Sequence, residues 1–144
     1  MNISCEKAGH AGCILLRALE PVVGLEKMAR NRGLEKGASP RNLTGGPSRL
    51  CQAMGLTRLK HNGLDLLDPD SPLQMYDDGV IFESLLVTPR IGIRHAVELP
   101  LRFAVMEHAC VSGPRKINDR RIFVGRDTVT LKRSSPKPGP FQNH

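Results

Sequence analysis

A chain of 144 residues, 40% of them hydrophobic and with a mean hydropathy of −0.25, is one domain at most, globular and soluble by composition, with some loose polar segments. No apolar run reaches membrane-spanning length, and no basic segment followed by an apolar one opens the chain. With neither signal in the sequence, the cytoplasm is the expected location. The net charge of +7 points to a nucleic acid, yet residues 1–113 hold 13 Lys+Arg against 12 Asp+Glu, whereas residues 114–144 hold 8 against 2.

In chain order, Cys13-Ile14-Leu15-Leu16-Arg17-Ala18-Leu19 is a nearly continuous apolar run closed by Pro21, and it predicts a strand covered on both faces. Alternation puts Cys13, Leu15, Arg17 and Leu19 on one face. An arginine there needs a carboxylate or phosphate to receive it, and Glu20 and Glu98 are structural candidates for that partner. The pattern turns helical over Leu25–Arg30, with Leu25 and Met28 spaced i,i+3 and Glu26 and Arg30 spaced i,i+4. Residues 31–46, rich in Gly, Asn and basic side chains, read as a loop. Pro47 suits the first position of a second helix, with Leu50, Cys51 and Met54 as its apolar face and Gly55 as its stop.

Residues 57–84 read as an irregular connection containing a short piece at Leu64–Leu67. Apolar stretches follow at Leu85–Val87 and Ile91–Ile93, split by Pro89. Leu101, Phe103 and Val105 alternate with Arg102, Ala104 and Met106, as in a half-buried strand. From residue 114 onward basic residues and prolines dominate. That tail, 114–144, reads as mostly disordered around one strand pair at Ile122–Leu131.

Charge within the body is segregated. Residues 26–60 carry eight basic side chains and two acids, and residues 65–83 carry six acids and no Lys or Arg. One sign per segment suits a face for a polyanion and another turned away from it, or equally a merely solvated surface. Gly45-Gly46-Pro47-Ser48-Arg49 could meet a phosphate at the free amides of a helix start, with Arg49 adding a full charge; a plain helix cap explains the same residues. The four cysteines and five histidines show no paired spacing, so no metal site is expected and the thiols read as reduced and mostly buried.

Several segments, in order, resemble the monofunctional 3-methyladenine (alkyladenine) DNA glycosylases that do not use a helix-hairpin-helix. They are Met1-Asn2-Ile3-Ser4, Leu15-Leu16-Arg17-Ala18-Leu19-Glu20-Pro21, Gly46-Pro47-Ser48-Arg49-Leu50-Cys51-Gln52-Ala53-Met54-Gly55, Pro89-Arg90-Ile91-Gly92-Ile93 with His95-Ala96, and Pro100-Leu101-Arg102-Phe103. The resemblance spans residues 1–113, as the C-terminal portion of that domain; the tail has no counterpart in it. It implies an α+β fold with a curved antiparallel sheet and peripheral helices, the N-terminal part of the family fold being absent.

It also implies an enzyme of base-excision repair, a hydrolase of N-glycosidic bonds. Such an enzyme flips an alkylated purine out of the duplex and cleaves it from the sugar with a carboxylate-activated water. By the same resemblance Asn2 and Leu15 line the base pocket, and Arg17 supports the catalytic carboxylate and the water. Ser48 and Arg49 are the candidates for the DNA backbone. The partner implied is double-stranded DNA containing alkylated bases, bound by a monomer without cofactor, in the nucleoid or the nucleus. The family's general-base glutamate, its stacking aromatics and its wedge tyrosine precede the Met-Asn-Ile-Ser segment, and no acid here matches that base. Activity of these 144 residues alone is therefore expected to be impaired, and the alternative is a non-catalytic basic module that binds nucleic acid.

Overall fold

The computed structural model describes residues 1–82, 84–113, 120–125 and 128–133. The chain divides into two compact units: Met1–Val80 with Glu107–Ser112, and Ile81–Met106 with the strands beyond Gly113. Helices in the first unit and two small antiparallel sheets make the fold α+β.

The first unit opens with a hairpin of β1 (Asn2–Ser4) and β2 (Cys13–Leu15), in which Asn2 faces Leu15, Ile3 faces Ile14 and Ser4 faces Cys13. Backbone bonds extend it by one rung at each end, from Cys5 N–H to the Gly12 carbonyl (3.2 Å) and from Leu16 N–H to the Met1 carbonyl (3.1 Å). Two expectations are corrected here. The strand covers Cys13–Leu15 rather than Cys13–Leu19, and its residues are exposed rather than covered on both faces. Among the described residues only β1 pairs with β2, and the last backbone bond of the ladder joins Leu16 to Met1, so Arg17 lies past it.

Three helices form the packed part of this unit. Helix α1 (Leu25–Arg32) ends at Gly33, whose φ of 64° lets the Leu34 N–H return to the Ala29 carbonyl at 2.9 Å. Glu26, although spaced i,i+4 from Arg30, pairs instead with Lys36 at 2.8 Å. Helix α2 (Pro40–Thr44) lies where a loop was expected; Ser39 caps it by accepting the Asn42 N–H, and Pro40 takes the first position. Helix α3 (Pro47–Met54) runs from Pro47 to a cap at Gly55, as read from the sequence. It packs on α1 and α2 and buries Leu50 and Ala53. The Asn31 side-chain amide donates to the Ala53 carbonyl at 2.9 Å, and the Arg32 guanidinium bonds the Gln52 side chain, tying α1 to α3.

A fourth, one-turn helix, α4 (Arg58–His61), starts at a Thr57 cap in the stretch expected to be irregular, and no helix or strand forms at Leu64–Leu67. The acids that follow build turns. Asp65, Asp68, Asp77 and Asp78 each accept the backbone N–H two residues on, at 2.9–3.0 Å.

The second unit is a four-stranded antiparallel sheet, ordered β4-β3-β5-β6, of β3 (Ser84–Thr88), β4 (Arg102–Val105), β5 (Arg120–Gly125) and β6 (Thr128–Arg133). Ile122 and Leu131, the expected strand pair, face each other across β5 and β6. The expectation of a mostly disordered tail covers 114–144, of which residues 120–125 and 128–133 are strands and 114–119, 126–127 and 134–144 lie outside the described residues. Ile91–Ile93 forms no strand. In β4 the expected alternation is reversed at its first two residues, with Phe103 63% exposed and Arg102 buried at 9%, and it is lost after them, Ala104 and Val105 both being half-buried. Arg102 faces Thr88 in the register and donates to its Oγ at 3.1 Å, so the guanidinium is solvated by the protein while its apolar stem lies inside.

Candidate functional site

The hairpin register brings two of the expected site residues together. Asn2 and Leu15 are directly opposite one another and therefore project from the same face, both exposed. Ser4 and Cys13 form the next pair on that face; Ile3, Ile14, Cys5 and Gly12 belong to the other.

Arg17 follows two residues after Leu15, on a stretch held from both sides. Leu16 N–H is bonded to Met1, and the Leu19 carbonyl accepts from the Thr44 hydroxyl of α2 at 2.5 Å. Thr44 is fully buried and also lies 3.1 Å from the Pro40 carbonyl, so α2 is the element that fixes the chain carrying Arg17. Composition hid this helix, although Ser39-Pro40 is the capping signal that would have found it. Arg17 is exposed and makes no ion pair among the described residues, with Glu20, Glu98 or any other acid.

Glu20 has a different partner. His108 accepts the Cys110 N–H on Nδ1 at 3.2 Å, which leaves Nε2 to carry the ring proton, and Nε2 lies 3.3 Å from the Glu20 carboxylate. This pair fastens the segment 107–112 to the end of the Arg17 stretch. Beside it the Cys110 thiol is 3% exposed. Burial pushes its pKa up and the Glu20 charge adds to that, with Arg41 opposing. Neither His108 nor Cys110 stood out in the sequence, because their spacing matches no chemical motif.

Ser48 and Arg49 occupy the first turn of α3 and are both exposed. The cap residue is Gly46, which has no side chain to satisfy the turn's amides, and no side-chain cap bond forms there. Arg49 folds back toward this end, its Cδ 3.9 Å from where a Cβ on Gly46 would stand. A guanidinium and uncapped amides thus share one helix start, the chemistry of an anion contact. Among the described residues no three His, Cys, Asp or Glu side chains gather in a way that could hold a metal ion, and no helix is long and apolar enough to cross a membrane.

The family model described as methylpurine-DNA glycosylase matches residues 1–109, a span that takes in Asn2, Leu15, Arg17, Ser48 and Arg49. The chain belongs to the methylpurine-DNA glycosylase family. Curated relatives agree. A protein of Koribacter versatilis named "Putative 3-methyladenine DNA glycosylase" is 46% identical over 115 residues, covering 80% of this chain and 55% of the relative. Proteins of the same name from Rhodopseudomonas palustris and Nitrosospira multiformis are 41% and 37% identical over 114 residues, covering 79% of this chain and 54% and 55% of theirs. The chain spans about half the length of the curated relatives it matches. Strands β5 and β6 lie outside the part that matches the methylpurine-DNA glycosylase model.

Proposed function

We propose that the chain takes part in base-excision repair by engaging duplex DNA that carries alkylated purines, with Asn2 and Leu15 as part of the wall for a flipped base. The observation that carries this reading is the direct pairing of Asn2 with Leu15 on an exposed face, in a chain of this family. Arg17, on the stretch that Thr44 holds at Leu19 and without an ion pair among the described residues, is the group that receives the catalytic carboxylate and its water. Ser48 and Arg49 contact a phosphate at the start of α3. The family fold to which these elements contribute is a curved antiparallel sheet with peripheral helices, acting as a monomer on DNA in the nucleoid or nucleus.

Hydrolysis itself needs a base to deprotonate water as the glycosidic bond breaks. No acid among these 144 residues matches the one the family resemblance calls for, so the chain assayed alone binds DNA and is catalytically silent. The test is a base-release assay on alkylated duplex DNA, run beside a binding titration. The expected result is binding that weakens with salt and no release above background. Release that is lost in Arg17→Ala would overturn the claim of silence, and an absence of duplex binding would overturn the DNA reading.

A further inference from the structure

We infer that the connection between β3 and β4 in the second unit is itself a DNA-backbone contact, with Arg90, Arg94 and His95 as its phosphate ligands; this rests on the DNA reading above. Along residues 90–96 the exposed side chains are Arg90, Arg94 and His95, while Ile91, Ile93 and Ala96 are half-buried between them. A left-handed Gly92 (φ 73°) and Ala96 (φ 50°) bend the chain within this stretch. The Arg90 guanidinium reaches the His95 carbonyl at 3.5 Å, which brings the two ends of the basic turn together.

The turn rests on a fixed base. Thr88 and Arg102, the residues that flank the connection, are paired in register and joined by the 3.1 Å bond between Arg102 and the fully buried Thr88. Ile91 reaches into the same corner, its Cδ1 3.2 Å from where a Cβ on Gly113 would stand, with Arg102 Nη2 at 3.6 Å. Glu98 is the one acid in the connection, and among the described residues neither Arg90, Arg94 nor His95 forms an ion pair. Two unneutralised guanidiniums and an imidazole, displayed on a turn anchored from beneath, suit phosphate oxygens. A planar guanidinium meets them with paired N–H donors. Phosphate contacts position a duplex without reading its sequence, so the ligand is the backbone of any duplex.

Salt titration of binding to a short undamaged duplex, followed by fluorescence anisotropy, tests this. Arg94→Ala should weaken binding several-fold and reduce the slope of log K against log salt by about 0.9, the value for one lost phosphate contact. Arg94→Lys should keep most of the slope. Lys36→Ala removes the same formal charge from a side chain already paired with Glu26 at 2.8 Å and should change the slope little. Circular dichroism checks that each variant is folded. If Arg94→Ala and the Arg90→Ala/Arg94→Ala double variant match Lys36→Ala while Arg49→Ala still weakens binding, the loop assignment is wrong and the DNA reading stands. If the unaltered chain shows no salt-dependent binding, both are wrong.

Discussion

Leu50 and Leu15 are the same side chain in the same unit, one 1% exposed and the other 45%. Leu50 sits on α3, whose apolar face meets α1 and α2, so three amphipathic elements cover one another. Leu15 sits on a strand with a single partner among the described residues, in a hairpin three paired residues long, and stands in solvent on the face it shares with Asn2. The difference teaches where each region finds its stability. The helices are held by mutual burial and by glycine and proline punctuation. The hairpin is held by a few backbone bonds, by the contact of Met1 N with Cys51 Sγ of α3 at 3.3 Å, and by the tie of the following stretch to α2 at Leu19.

Leu50→Ala should show the largest effect, a loss of about 2–5 kcal/mol in urea or thermal unfolding, because the cavity it leaves lies among packed helices. Thr44→Val tests the attachment itself. Removing the hydroxyl leaves the Leu19 carbonyl without its donor and should cost about 1–3 kcal/mol. It should also loosen the Arg17 stretch, measurable as faster hydrogen exchange at residues 16–20. A smaller effect, confined to alkaline solution, is expected from Cys110. Its raised pKa keeps the folded thiol neutral while the unfolded one ionises, so the unfolded chain binds fewer protons and stability falls as pH rises past the ordinary thiol range. Unfolding midpoints against pH should show that decline, and Cys110→Ala should flatten it. The smallest effect belongs to Leu15→Ala, within about 0.5 kcal/mol for an exposed site. A loss at Leu15 as large as that at Leu50 would erase the contrast.

The same contrast explains what could be read from residues alone. Helix α1 was legible from the local spacing of Leu25, Glu26, Met28 and Arg30, short of its end at Gly33, and α3 because Pro47 and Gly55 mark its ends by local backbone geometry. Helix α2 was hidden: the Gly-, Asn- and basic-rich composition of 31–46 outweighed the Ser39-Pro40 cap, and only the burial of Leu43 and Thr44 gives it a purpose. The strand at Cys13 was drawn too long because an apolar run reports hydrophobicity, not how many partners a strand has. Arg102 was placed with the polar side of β4 because alternation does not reveal that Thr88 stands opposite to receive it. As for the site, Asn2, Leu15 and Arg17 came from resemblance to a family. Spacing alone could not have shown that residues 2 and 15 face each other across a turn.

The hairpin's parity also has a redox consequence. With Ser4 opposite Cys13 and Cys5 opposite Gly12, the two exposed thiols stand on opposite faces of the ribbon, where no disulfide can join them without breaking the ladder. A slip of one residue would set Cys5 directly across from Cys13 and turn the Asn2 side chain to a different neighbour. The pair is therefore a chemical indicator of register. Oxidation that leaves both thiols unbridged reports the pairing that presents Asn2 beside Leu15, and a Cys5–Cys13 bridge would trap the chain in the pairing that does not.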